Sequence, residues 1–158
     1  MAVVPTQAPV TAGAAPLVPE YWSRAKRSLA RRDSVLARVI RAHPDVALRG
    51  RGDAFQTLAR SIVGQQISVK AADSVWRRFI ETVVTMHPAA VLNTGAPRLR
   101  ECGLSQRKVE YLLGIAGHFA SGAVDPGGWT TLDEETVIEQ LVRVRGVGRW
   151  TAEMVLIF

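Results

Sequence analysis

The sequence predicts an all-α domain built as a compact helical bundle. Three observations lead there. Apolar residues recur at three- and four-residue spacing over most of the chain, with no sustained strand-like alternation. One such pattern runs from Leu141 into Gly146-Val147-Gly148, and a second starts at once after it. At 158 residues and 47% hydrophobic content, the chain is long enough to bury about two thirds of its unfolded surface and too apolar to stay disordered.

Residues 1–19 are rich in Ala, Val and Pro and hold no charged side chain. They lack the basic start and continuous apolar centre of a signal peptide, and read as a flexible tail ahead of one domain over 20–158. Residues 21–51 follow with nine basic side chains (Arg24, Lys26, Arg27, Arg31, Arg32, Arg38, Arg41, Arg49, Arg51) against Asp33 and Asp45. The net charge of +6 therefore sits almost wholly here, which suits a polyanion. Trp22, Leu29, Val35, Leu36, Val39 and Ile40 give the segment an apolar side, so a solvated amphipathic helix pair explains the same residues. His43 and His87 each precede a proline, a place where helices end or break.

The next helix starts at Asp53, which with Gln56 has the spacing of a capping box, and carries Phe55, Leu58, Ala59, Ile62 and Val63 on one side. Ser68 is placed to cap a second helix with Val69, Ala72, Val75, Trp76 and Phe79. Gln65 and Gln66 fall at the junction of the two. Ser105 starts a further helix striped with Val109, Leu112, Leu113, Ala116 and Phe119; its Arg107 and Lys108 either meet phosphate or are simply solvated.

At Gly146-Val147-Gly148 the chain must turn tightly between two helices. Such a turn requires positive φ or very close approach of backbone to a ligand, and glycine permits both. Gly148 then opens a helix whose free N–H groups and positive dipole end form a ready anion site. Arg143, Arg145 and Arg149 surround it. The glycines alone fit an ordinary capped αα-turn as well as they fit a phosphate-binding helix–hairpin–helix.

The longer string Leu141 to Ala152, with Arg60-Ser61-Ile62-Val63-Gly64-Gln65-Gln66-Ile67-Ser68-Val69-Lys70-Ala71-Ala72 and Cys102 to Leu112 upstream, resembles the helix–hairpin–helix DNA glycosylases. Within them it is similar to the alkylation-repair branch, DNA-3-methyladenine glycosylase II. The resemblance spans roughly Asp53 to Phe158. It implies a hairpin (Arg145, Gly146, Val147, Gly148, Arg149, Thr151) that holds a DNA phosphate beside the lesion. It further implies a monovalent cation, Na+ or K+, on the carbonyls of Val142, Val144 and Gly146, with no cofactor required. Gln65 would line the base pocket and Gln66 would fill the gap left by the flipped nucleotide, although both amides also suit backbone groups at a helix junction. Relatives that cut the DNA backbone carry Lys at position 150. Trp150 closes that covalent route and offers a cationic base an aromatic face, unless it is a core tryptophan. Met154 stands where some relatives have Tyr, and Arg145 where the family usually has Pro.

The implied function is base excision repair by a monofunctional enzyme. It would flip an alkylated purine such as 3-methyladenine out of duplex DNA and hydrolyse its N-glycosidic bond, working as a monomer in the cytoplasm, at the DNA. The family also needs an Asp beyond the hairpin, and the only acid there is Glu153, which does not match it. Met154 to Phe158 shows no C-cap signal. The expectation is a helix cut midway, with the Asp beyond Phe158 in a longer protein; the alternative is a truncated, non-catalytic DNA-binding protein. Cys102 is the sole cysteine, which excludes an internal disulfide and a four-cysteine iron–sulfur site among these residues. His43, His87 and His118 lack zinc-ligand spacing, and no stretch is long and apolar enough to span a bilayer.

Overall fold

Helix after helix begins on a side chain that takes up a free N–H of its first turn. The computed structural model describes residues 18–48 and 53–157; most of the N-terminal tail, Arg49, Arg51 and Phe158 lie outside them. The described residues contain helices and no strand, and their contacts divide into two units at Gly52 and Asp53.

The first unit is a helix pair, α1 (Trp22–Arg32) and α2 (Ser34–Ala42). Asp33 separates them: its backbone is extended, and its carboxylate accepts from the N–H of Val35 and Leu36 at 2.7 and 3.0 Å. Arg31 and Arg32 fall in the last turn of α1, where cations complement the dipole. Lys26 donates to the carbonyl of Pro44 at 2.8 Å, tying the chain after α2 back to α1. Of the apolar residues the sequence assigns here, Leu29, Val35, Leu36 and Val39 are exposed. His43 ends α2 as its proline predicts.

The second unit holds α3 (Ala54–Gly64), α4 (Val69–Val83), α5 (Pro88–Glu101), α6 (Gln106–Ala120), a short 3₁₀ turn (Pro126–Thr131), α7 (Glu134–Val142) and α8 (Arg149–Ile157). Asp53, Ser68, Ser105 and Asp133 cap α3, α4, α6 and α7 by accepting from the N–H of Gln56, Ala71, Lys108 and Thr136. His87 does not end a helix. It starts α5, with Pro88 at the first helical position, where a missing N–H costs nothing. α5 is two helical pieces joined at Gly95.

α3 is the centre of this unit. Phe55, Leu58, Ala59, Ile62 and Val63 are all buried, and α3 packs on α4, α6 and α8. Val109, Leu112, Ile115 and Ala116 of α6 and Ala152 and Val155 of α8 join the same core. Phe119 meets Phe55 edge-on at 5.4 Å, an arrangement the ring quadrupoles favour. Val69, counted on the apolar side of α4 from spacing, is 78% exposed, because the helix has barely begun at its first residue. Cys102 is buried and its Sγ lies 3.2 Å from Thr82 Oγ1. Among the described residues no helix is long and apolar enough to cross a membrane.

Candidate nucleic-acid interface

The hairpin is pinned by two valines. Val144 and Val147 are buried, while Arg145 and Gly148 between and after them are exposed. Two short backbone bonds close the turn, Val144 N–H to Leu141 O and Val147 N–H to Val144 O, both 3.0 Å. Alternation of buried valine with exposed residue thus turns the loop's outer edge away from the core.

The two glycines serve different ends. Gly146 has φ +95°, and a Cβ there would fall 2.4 Å from Cγ of Tyr111, so both backbone shape and contact demand glycine. Gly148 has no positive φ, and a Cβ there would meet nothing within 4 Å. Nothing among the described residues requires its lack of a side chain. α8 begins directly after it, on glycine rather than on a capping side chain. The N–H groups of that first turn have no intrahelical partner by helix geometry.

Charge around the turn is unevenly free. Arg149 is held by Glu135, through both oxygens at 2.6 Å, and by Glu153 at 3.0 Å. These bonds hold the guanidinium above its ordinary pKa, and the Arg149 bond draws the Glu135 carboxyl below its own. Arg145 is far looser, 79% exposed and 3.8 Å from Glu110. Arg143 is exposed. Val142, Val144 and Gly146 offer backbone carbonyls around the turn; those of Val144 and Gly146 already accept from Val147 N–H and Gln65 Nε2.

The α3–α4 junction comes up to the hairpin. Gln65 ends α3, half-buried, and its Nε2 donates to Gly146 O at 3.3 Å. Gln66 is exposed and adopts φ +56°, a left-handed backbone that costs a residue with a Cβ about 1–2 kcal/mol. Lys108 of α6 donates to the carbonyl of Val63 at 2.9 Å, satisfying one of the open carbonyls at the end of α3; burial lowers its pKa. Lys108 is half-buried, with one of its three donors spent on the end of α3. Trp150, in the first turn of α8, is 67% exposed and lies outside the core formed by the described residues. Met154, one turn on and half-buried, lies on the same side by helical spacing. Thr151 is buried, leaving its backbone N–H rather than its hydroxyl for any outside partner.

Sequence reasoning gave no role to Tyr111 or Glu135, and did not foresee the bond of Lys108 to the end of α3. Each acts on a residue far along the chain, and no local spacing signals that.

Comparison with known proteins agrees with this geometry. Residues 59–155 match the family described as HhH-GPD superfamily base excision DNA repair protein. The DNA-3-methyladenine glycosylase 1 of Schizosaccharomyces pombe is 33% identical over 108 residues, 66% of this chain and 47% of the relative. The crystal structure of a Bacillus halodurans DNA-3-methyladenine glycosidase is 36% identical, with TM-score 0.68 over 72% of this chain and 53% of the other. The S. pombe 3-methyladenine DNA glycosylase in complex with abasic DNA superposes with TM-score 0.74 at 28% identity, covering 85% of this chain and 69% of the other. The chain spans about half the length of the curated relatives it matches. With most of its length matched and the hairpin in place, the chain belongs to the HhH-GPD superfamily of base excision DNA repair proteins, its kinship lying with the alkylation-repair branch.

Proposed function

We propose that this domain serves a monofunctional DNA glycosylase that releases alkylated purines from duplex DNA. The observation that carries the reading is Trp150, an aromatic face left in solvent in the first turn after the hairpin. A purine alkylated at a ring nitrogen is cationic, so it is drawn to that face and is already a good leaving group. The base is turned out of the stack and its N-glycosidic bond is hydrolysed. With Trp rather than Lys at this position, water and not an amine takes up the sugar.

The chain's own residues divide the task. The N–H groups from Gly148 to Thr151 receive a phosphate beside the lesion, with Arg145 adding charge. Gln66, held in a costly backbone shape with its side chain outside, enters the gap left by the base. Gln65 spends an N–H on Gly146 and keeps its Oε1 for a base edge. Met154 packs beside Trp150 in the pocket. The carbonyls of Val142, Val144 and Gly146 are uncharged oxygen donors with lone pairs remaining, suited to a Na+ or K+ that would stiffen the turn. Glu153 is engaged by Arg149, and the carboxylate the reaction calls for is assigned to no residue of this chain. The partner is double-stranded DNA carrying alkylated bases, bound by a monomer in the cytoplasm. Relatives named as 3-methyladenine glycosylases support this reading.

The test is release of free base from methylated duplex by the native protein. Release that drops at least tenfold in Trp150→Ala supports the assignment. Salt-dependent binding without any release would replace it with a non-catalytic DNA-binding function.

A further inference from the structure

One ring underlies the hairpin. A Cβ on Gly146 would stand 2.4, 2.5 and 2.9 Å from Cγ, Cδ2 and Cδ1 of Tyr111, so the backbone of the turn rests directly on that face. The guanidinium of Arg145 lies over the same ring, 5.8 Å from its centre. Glu110, the neighbour of Tyr111 on α6, pairs with Arg145 at 3.8 Å. α6 is itself anchored: its Val109, Leu112, Ile115 and Ala116 are wholly buried, and its Lys108 is bonded to the end of α3. The floor under the turn is therefore a helix packed into the core, while Gly148, two residues on, meets nothing within 4 Å.

We infer that Tyr111 is a positioning residue for the hairpin, its ring setting the height and tilt at which Arg145 and the N–H groups at the start of α8 are presented to a phosphate. The inference rests on the DNA-binding part of the reading above. Tyr111 itself touches no phosphate in this role. A flat ring with two torsions fixes a plane, which an aliphatic side chain of similar bulk does not. Without the ring, Gly146 keeps only the 3.3 Å bond from Gln65 and the two valine anchors, and Arg145 loses its support. N–H groups that share one phosphate tolerate little tilt, because hydrogen bonds weaken steeply off line.

The experiment is binding of the full chain to a short unmodified duplex over a range of salt concentrations. Tyr111→Ala is expected to lower the slope of log K against log salt by about one, the signature of a lost phosphate contact, and Tyr111→Phe to restore it. A merely structural role moves the fraction of active protein and leaves that slope alone. Tyr111→Leu makes the same comparison if the alanine variant does not fold. An unchanged slope in both variants overturns the inference, as does absence of salt-dependent binding by the parent chain. Binding with the expected slopes but no base release from methylated DNA sinks the enzymatic reading and leaves this one standing.

Discussion

The side-chain amide of Gln65 donates to the carbonyl of Gly146 across 3.3 Å, joining the α3–α4 junction to the hairpin over 81 residues of chain. The bond adds a direct link to the packing that already joins α3 to α8. Gln65→Leu, similar in bulk, removes the donor and leaves a half-buried carbonyl with one partner fewer. The expected cost is about 1–2 kcal/mol in thermal or urea unfolding. Gln65→Glu is expected to cost more, since an ionised carboxylate accepts and cannot donate.

The two hairpin glycines separate stability from binding. Gly146→Ala must take positive φ and meet the Tyr111 ring, and is expected to destabilise by about 2–4 kcal/mol. Gly148→Ala meets open space and is expected to change stability by no more than about 1 kcal/mol, yet, on the proposed reading of the hairpin as a phosphate site, to weaken duplex binding. Unfolding and binding curves on both variants check this.

Arg145 and Arg149 are expected to differ sharply in salt titrations. Arg149 is compensated by Glu135 and Glu153, whereas Arg145 is mostly exposed with one distant acid. Arg145→Gln should lower the salt slope of duplex binding by about one. Arg149→Gln should leave the slope nearly unchanged while loosening α8 from α7.

The Glu135–Arg149 pair sets a pH dependence. The Glu135 carboxyl is depressed by its bond to Arg149, and the Asp133 carboxyl by the N–H of Thr136. A depressed folded pKa gives stability that is present above the unfolded value and lost as pH falls through the folded one. The melting temperature should therefore fall on acidification through and below the ordinary carboxylate range. The double variant Glu135→Gln, Asp133→Asn should show a flatter acid limb. An identical limb would mean that neither bond persists in solution.

Trp150→Ala is expected to be nearly silent in stability, because the side chain is mostly in solvent. Leu112→Ala, at a wholly buried position, should cost about 2–5 kcal/mol. Unfolding curves for the two, set beside base release, keep a pocket defect apart from a folding defect.

Local chemistry was legible in the residues themselves. Asp53, Ser68 and Ser105 cap because a short polar side chain before an apolar stripe has a free N–H within reach, and the α3 and α6 stripes follow from spacing alone. The hairpin was legible for the same reason, as two glycines between helical patterns. The exposure of Trp150 was legible only through the family resemblance, since the residues alone also allow a core tryptophan; the packing of α8 through Ala152 and Val155 turns its other side inward. Lys108 was read as solvated or as meeting phosphate, and Tyr111 was given no role. Their roles come from the approach of α6 to the hairpin and to the end of α3, contacts that leave no periodic trace.

The unlike surroundings of Gly146 and Gly148 have an evolutionary reading. Folding alone retains the first, which presses on a ring, so it should survive even in a descendant that no longer handles nucleic acid. The second is under no such pressure from the fold and would drift to other small residues once its partner was gone. On the proposed reading, position 148, more than 146, is where a lineage would record the loss of a phosphate partner.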